Sequence, residues 1–285
     1  MSTIQSSLLN AGKVIRQGRI LDPRTGRAAV IAFDHGVHLG QIPGVENPGP
    51  MLDLLTEAGA DAFLVSPGVA RTYASAFAGR GAPGLILRAD WSNRWREADR
   101  LGYAEGRTRV IATAEDALRL GADAMLMYFF IGYDDPAEEA DQAADVAEMA
   151  RECEAMGLVC IIEPMPRGLL VGDNPYRADY IALGARMACE LGADLLKTDY
   201  SGDSESFRQV IAASFRPVLI AGGPKTGSLR ETLGMVRGAL DAGAQGMFIG
   251  RNVFQAPDPA RLMRVLRGMI HQDWSVDAAA AELGV

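Results

Sequence analysis

The chain has 285 residues, 48% hydrophobic and 22% charged, the balance of a packed globular protein, which excludes disordered and fibrous classes. A formal net charge of −8 argues against nucleic acid or an anionic membrane as partner. No stretch reaches the ~18 consecutive apolar residues of a membrane helix. The first ten residues lack the basic start and apolar run of a secretory signal. Cys153, Cys160 and Cys189 show no disulfide or metal spacing. The expectation is a cytoplasmic domain of enzyme size with reduced thiols.

Residues 1–28 read as a short N-terminal segment in which Asp22-Pro-Arg-Thr-Gly26 forms a turn. The first strand follows at Val30-Ile-Ala-Phe-Asp34. A phrase then recurs along the chain: Ala58-Gly-Ala-Asp-Ala-Phe-Leu-Val-Ser-Pro67, Leu120-Gly-Ala-Asp-Ala-Met-Leu-Met-Tyr-Phe129, Leu191-Gly-Ala-Asp-Leu-Leu-Lys-Thr-Asp-Tyr200 and Ala242-Gly-Ala-Gln-Gly-Met-Phe-Ile-Gly-Arg251. Each copy places a glycine where a helix ends and can take the left-handed conformation. An apolar run follows, too short for a helix and suited to a strand buried on both faces.

Gly59, Gly121, Gly192 and Gly243 are separated by 62, 71 and 51 residues, which fits two strand–helix units of roughly 25 to 35 residues in each gap. The intervening strands are Gly84–Asp90, Leu158–Glu163 and Pro217–Gly222, making eight with the first. Helical spacing marks Pro136–Met156, with a face of small residues, and Leu229–Ala242, with Leu229, Leu233, Val236 and Leu240 in register. Eight alternating units over residues 29–285 predict a closed (β/α)₈ TIM barrel of class α/β. The stretch after Pro259, with Leu262, Met263, Val265, Leu266 and Met269, is expected to pack helically on that barrel.

In such barrels chemistry sits at the C-terminal strand ends. Those positions hold Asp34, Ser66, Arg88, Asp90, Tyr128, Glu163, Lys197, Asp199, Gly222, Gly223, Gly250 and Arg251. Lys197 stands out because the chain has three lysines against 25 arginines, and this one interrupts a buried strand. Burial favours the neutral amine, the form that attacks a carbonyl to make a Schiff base. The same observation fits a structural ion pair with Asp34 or Asp199. Asp34 shares a face with Ala32 and could orient Lys197, or cap a helix. Glu163, on the face of Ile161 and Met165, suits general acid–base work. On the residues alone, the plainer reading is a salt bridge to Arg88 or Arg167. Gly222-Gly223 and Gly250-Arg251, at the last two strand ends, suit a phosphate through backbone N–H groups and a bidentate guanidinium. Ser66 and Arg88 are further candidate phosphate contacts.

These motifs carry a family resemblance. Phe33-Asp-His-Gly36, Asp61-Ala-Phe-Leu-Val-Ser-Pro-Gly68, Lys197-Thr-Asp-Tyr-Ser-Gly-Asp203, Ile220-Ala-Gly-Gly-Pro-Lys-Thr226 and Ile249-Gly-Arg-Asn-Val-Phe-Gln255 span roughly residues 15–270. The chain resembles the class I, Schiff-base aldolases that include archaeal fructose-bisphosphate aldolase, aminodideoxyheptulosonate synthase and the thiolase acting on phosphorylated autoinducer-2. The resemblance implies a metal-independent aldolase without organic cofactor, acting on a phosphorylated ketose or related phosphosugar. In that reading Lys197 forms the Schiff base, assisted by Asp34, while Gly222, Gly223, Gly250 and Arg251 hold the phosphate; a homo-oligomer is also implied. Archaeal members carry Trp-x-Tyr-Pro-Arg-Gly after the fifth strand, with the tyrosine as proton shuttle. Here Glu163-Pro-Met-Pro-Arg-Gly168 puts Met165 in the tyrosine's place and Glu163 in the tryptophan's. Glu163 is therefore expected to serve as acid/base, similar to the glutamate of tagatose-bisphosphate and sulfosugar-phosphate aldolases. Two rivals stay open: thiolase-like acetyl transfer to coenzyme A on the same lysine, and a non-catalytic phosphosugar-binding barrel.

Overall fold

A computed structural model describes residues 10–223 and 226–285; Lys225 and Pro224, within one of the motifs above, and the first nine residues of the N-terminal segment lie outside them. Eight parallel strands close into a barrel: β1 (Ala28–Ala32), β2 (Ala62–Val65), β3 (Gly84–Arg88), β6 (Ala124–Ile131), β7 (Val159–Pro166), β8 (Leu195–Thr198), β9 (Val218–Ala221) and β10 (Gly246–Ile249). The pairing order β1-β10-β9-β8-β7-β6-β3-β2 returns to β1, so the barrel sheet has no free edge. All eight expected strands are present, and the architecture is the (β/α)₈ TIM barrel.

Two cores follow from period-two alternation. Luminal side chains, among them Val30, Leu64, Ile86, Leu126, Ile161, Leu195, Leu219 and Phe248, fill the interior, with Ile20 and Leu21 closing its N-terminal end. Outward side chains such as Ile31, Phe63, Leu87, Ile162, Leu196 and Ile249 pack beneath the helices. The amphipathic helices occupy Pro136–Met156 and Leu229–Ala242 as the spacing predicts. The helix Pro259–Gln272 buries Leu262, Met263, Val265, Leu266 and Met269 on the barrel, as expected.

The recurring glycines all adopt positive φ: 95° at Gly59, 76° at Gly121, 111° at Gly192 and 112° at Gly243, where a side chain would be strained. The polar residue two positions later has its own task. Asp61, Asp123 and Asp194 accept the backbone N–H of Ala29, Leu85 and Cys160 at 2.7, 3.0 and 2.9 Å. Gln245 does the same for Val218 at 2.9 Å. Each extends the ladder past the start of its own strand and satisfies a donor of its neighbour.

The helix Ala11–Gln17 lies across this N-terminal end, tied by Lys13 to Asp194 at 2.7 Å and by Arg16 to the Gly157 carbonyl at 2.9 Å. One element was not visible in the sequence. Between β3 and β6 the chain makes an antiparallel excursion, β4 (Asp90–Ser92) with β5 (Thr108–Val110). Three-residue strands separated by a polar, arginine-rich loop carry no period for a sequence reading to detect.

Candidate active site

Continuing each luminal row one step past its apolar part yields the site. Ala32 leads to Asp34, Ile86 to Arg88, Leu126 to Tyr128, Ile161 to Glu163, Leu195 to Lys197, and Phe248 to Gly250. The hydrophobic alternation that builds the barrel thus brings Asp34, Tyr128, Glu163, Lys197 and the Gly250 backbone to one pocket of about 300 Å³ at its C-terminal end, with Arg88 beneath it.

Lys197 is 6% exposed and lies on the pocket floor, with Nζ 2.8 Å from Glu163 Oε1 and 4.8 Å above the centre of the Phe248 ring. Its partner is neither Asp34 nor Asp199. The two residues suggested on separate grounds for nucleophile and acid/base are therefore in direct contact. The other Glu163 oxygen lies 3.3 Å from Arg88.

Arg88 is fully buried and binds three carboxylates: Asp34 at 2.7 Å, Asp90 at 3.1 Å and Glu163 at 3.3 Å. Its guanidinium lies 4.0 Å over the Tyr128 ring, a cation–π contact strengthened by desolvation. With its guanidinium engaged by three carboxylates and the Tyr128 ring it does not line the pocket, which speaks against the expected phosphate contact. Ser66 is displaced for a different reason: its hydroxyl accepts the Val69 N–H at the start of the helix Pro67–Thr72 and does not reach the pocket.

Asp34 precedes the helix His35–Leu39, yet its side chain makes no capping bond; it turns into the lumen toward Arg88. Burial alone would raise its carboxyl, but the adjacent guanidinium overrides this and holds it well below the usual range. His38 Nδ1 accepts the Ser92 N–H at 3.2 Å, and its Nε2 faces Asp34 at 3.7 Å. Burial also pushes Asp90 up, although Arg88 and the Tyr128 N–H, at 2.8 Å, pull the other way.

At the ends of β9 and β10 the backbone opens toward the pocket. Gly223 has φ +59°, and a Cβ on Gly250 would sit 2.4 Å from the His35 ring and 2.5 Å from the Ala32 carbonyl, so neither position accepts a side chain without rearrangement. Asn252 Nδ2 donates to the Gly222 carbonyl at 2.9 Å, and Arg251 lies against the Gly223 carbonyl at 3.4 Å. The four predicted phosphate residues Gly222, Gly223, Gly250 and Arg251 all line the pocket.

The opposite wall was largely missed. Trp95, from the β4–β5 excursion, joins Tyr128, Met165 and Leu39; it packs 5.6 Å from the Tyr128 ring. Arg167 and Tyr176, after β7, also line the pocket, with Arg167 paired to Asp199 at 2.7 Å and 5.0 Å from the Tyr176 ring. The Pro-Arg-Gly motif could have flagged Arg167, whereas nothing local distinguishes Trp95 or Tyr176 from ordinary loop aromatics. The ring of groups can bind an anion at one side, hold a lysine beside a carboxylate in the middle, and present aromatic and polar surface beyond.

A model of the DeoC/LacD family aldolases matches residues 28–256. An uncharacterized aldolase of Saccharolobus solfataricus is 38% identical over 94% of this chain and 97% of its own length. The 2-amino-3,7-dideoxy-D-threo-hept-6-ulosonate synthase of Halobacterium salinarum is 36% identical over 98% of each chain. Among solved structures, an archaeal fructose-1,6-bisphosphate aldolase, with its catalytic lysine covalently bound to the carbinolamine intermediate of the substrate, aligns with a TM-score of 0.78. It is 29% identical, over 91% of this chain and 99% of its own.

Proposed function

The chain belongs to the DeoC/LacD aldolase family, and from that premise we propose that it is a class I aldolase that makes or breaks a carbon–carbon bond in a phosphorylated ketose through a Schiff base on Lys197. The observation that carries the assignment is the 2.8 Å contact between Lys197 and Glu163 on the pocket floor. Among the described residues no other lysine lines the pocket, since Lys13 is bound at the far end of the barrel.

Glu163 accepts the ammonium proton, and the neutral amine attacks the substrate carbonyl. Glu163 returns that proton to the carbinolamine hydroxyl, which departs as water to leave an iminium and a Glu163 carboxylate once more. Glu163 then takes the proton of the hydroxyl beyond the scissile bond, the bond breaks, and its electron pair moves into the iminium to give an enamine. The aldehyde departs; reprotonation and hydrolysis release the second product and free Lys197. Met165 cannot transfer a proton, so Glu163 serves the steps at which archaeal relatives are expected to use a tyrosine. Asp34 and Arg88 act through position: Arg88 bridges the two carboxylates and fixes the one that faces Lys197. The phosphate sits against Gly222, Gly223, Gly250 and Arg251, so binding energy remote from the reacting bond sets the register of the carbonyl over the amine.

A homo-oligomer in the cytoplasm completes the reading, in keeping with three free, buried cysteines. The experiment is borohydride trapping with a panel of phosphorylated ketoses, followed by peptide mass mapping. An adduct on Lys197 is the expected result, and the ketose trapped best defines the substrate. Folded protein that yields no adduct with any of them refutes the assignment and leaves a phosphosugar-binding barrel.

A further inference from the structure

Asp199 lies two residues beyond Lys197, on the same side of the β8 end, and lines the same pocket. It is 1% exposed. Only one of its oxygens is engaged: Oδ2 accepts from Arg167 Nη2 at 2.7 Å, whereas Oδ1 has no hydrogen-bond partner among the described residues. A buried carboxylate oxygen left unpaired is costly and calls for an explanation. The carboxylate is not free to turn and satisfy itself. Arg167 is held by its own bond to the Pro166 carbonyl at 3.0 Å and by the Tyr176 ring, and its guanidinium engages Oδ2 and leaves Oδ1 unpaired. Asp199, Lys197 and Glu163 line one pocket, so the carboxylate shares the cavity in which the imine would form. Burial pushes its carboxyl up against the pull of Arg167, so it can accept a hydrogen bond or, when protonated, donate one.

We propose that Asp199 is a specificity-determining residue whose open oxygen binds a substrate hydroxyl on the carbon next to the imine carbon, with Arg167 as the positioning residue that holds it. This rests on the Schiff-base reading of Lys197 and names the substrate class more closely, as hydroxylated beside the carbonyl. A site built to bond a hydroxyl discriminates against the analogue that lacks it, because the buried polar group is then left unpaired.

The test compares two probes that differ by that hydroxyl, dihydroxyacetone phosphate and acetol phosphate, each trapped on the full-length protein with borohydride and quantified as the Lys197 peptide adduct. The intrinsic reactivity of the two ketones cancels when the ratio of trapping efficiencies is compared between proteins. In Asp199→Ala the preference for dihydroxyacetone phosphate over acetol phosphate should fall by about 10- to 100-fold relative to the unaltered protein. Asp199→Asn keeps the shape and an oxygen for Arg167, and should retain part of the preference. A ratio unchanged within about twofold in both variants, or adducts of the two ketones falling in step, overturns the hydroxyl contact while leaving the Schiff base standing. Absence of any Lys197 adduct in the unaltered protein with either ketone overturns the Schiff-base reading and this proposal with it.

Discussion

At the N-terminal end of the barrel, Asp61, Asp123 and Asp194 each accept a neighbouring strand's N–H and face a cation of their own: Arg267, Arg19 and Lys13. At the C-terminal end, Asp34, Asp90 and Glu163 share a single guanidinium, and only Glu163 has a second cation, Lys197. Both ends bury carboxylates, but the first satisfies them locally and the second leaves more carboxylates than cations. The first arrangement secures strand ends, and the second lies at the pocket proposed as the active site.

The same contrast decides how far the sequence could be read. The N-terminal end performs one task at several strands, so its residues recur as a phrase, and the glycine, the Asp or Gln and the strand behind each copy were all locatable. The C-terminal end performs a different task at each strand. Lys197 and Glu163 were found because a charged residue ends an apolar run, but their contact with each other depends on β7 and β8 being neighbours in register. Arg88 was assigned to phosphate because an arginine at a strand end looks the same whether it faces solvent or three carboxylates. Trp95 reaches the pocket through an excursion with no periodicity, and only the tertiary structure brings it there.

The largest expected effect breaks the C-terminal end alone. Lys197→Met should abolish borohydride adducts and lower turnover by about 10⁴-fold or more, the scale seen when a covalent nucleophile is removed. Glu163 keeps its contact with Arg88 in that variant, so the thermal transition should stay close to that of the unaltered protein. A variant with substantial remaining turnover would move the nucleophile elsewhere.

Arg88→Met should act on stability. It strands Asp34 and Asp90 in a dry interior, and breaking a buried ion-pair network by removing one partner costs about 3–5 kcal/mol. Chemical denaturation measures this directly. A loss under about 1 kcal/mol would mean that Arg88 is not the charge that holds the cluster.

A smaller effect separates the two ends by pH. His35 packs against Phe254 with ring centroids 5.4 Å apart, and burial lowers its pKa from 6.5 to about 4, with Asp34 opposing and Arg251 and Lys197 assisting. Its folded value is depressed, so the stability it supports is complete above pH 6.5 and is lost as pH falls toward 4. At pH 5.5 that loss is about 1 kcal/mol. Asp90 and Asp199, both raised by burial, slope the opposite way, so the informative quantity is the difference between the unaltered protein and His35→Gln. That difference should grow in favour of the variant below pH 6.5 and be flat above it. A constant offset would show that His35 does not titrate between the folded and unfolded states.

The smallest effect tests whether the N-terminal end needs charge at all. Gln245 performs with a neutral amide what Asp61, Asp123 and Asp194 perform with carboxylates. Asp123 is the sharpest case, because burial raises its carboxyl despite the Leu85 N–H and Arg19, and the Arg19 side chain is 45% exposed. Asp123→Asn keeps an oxygen for the Leu85 N–H and removes a charge that burial penalises, so it should change stability by less than about 1 kcal/mol. Asp123→Ala leaves that N–H unmet in the interior and should cost about 1–3 kcal/mol. Neither should alter Lys197 trapping, since the residue lies at the opposite end of the barrel. If Asn costs as much as Ala, the ion pair with Arg19 matters more than the bond to Leu85, and the contrast between a locally satisfied end and a shared-charge end would weaken at that strand.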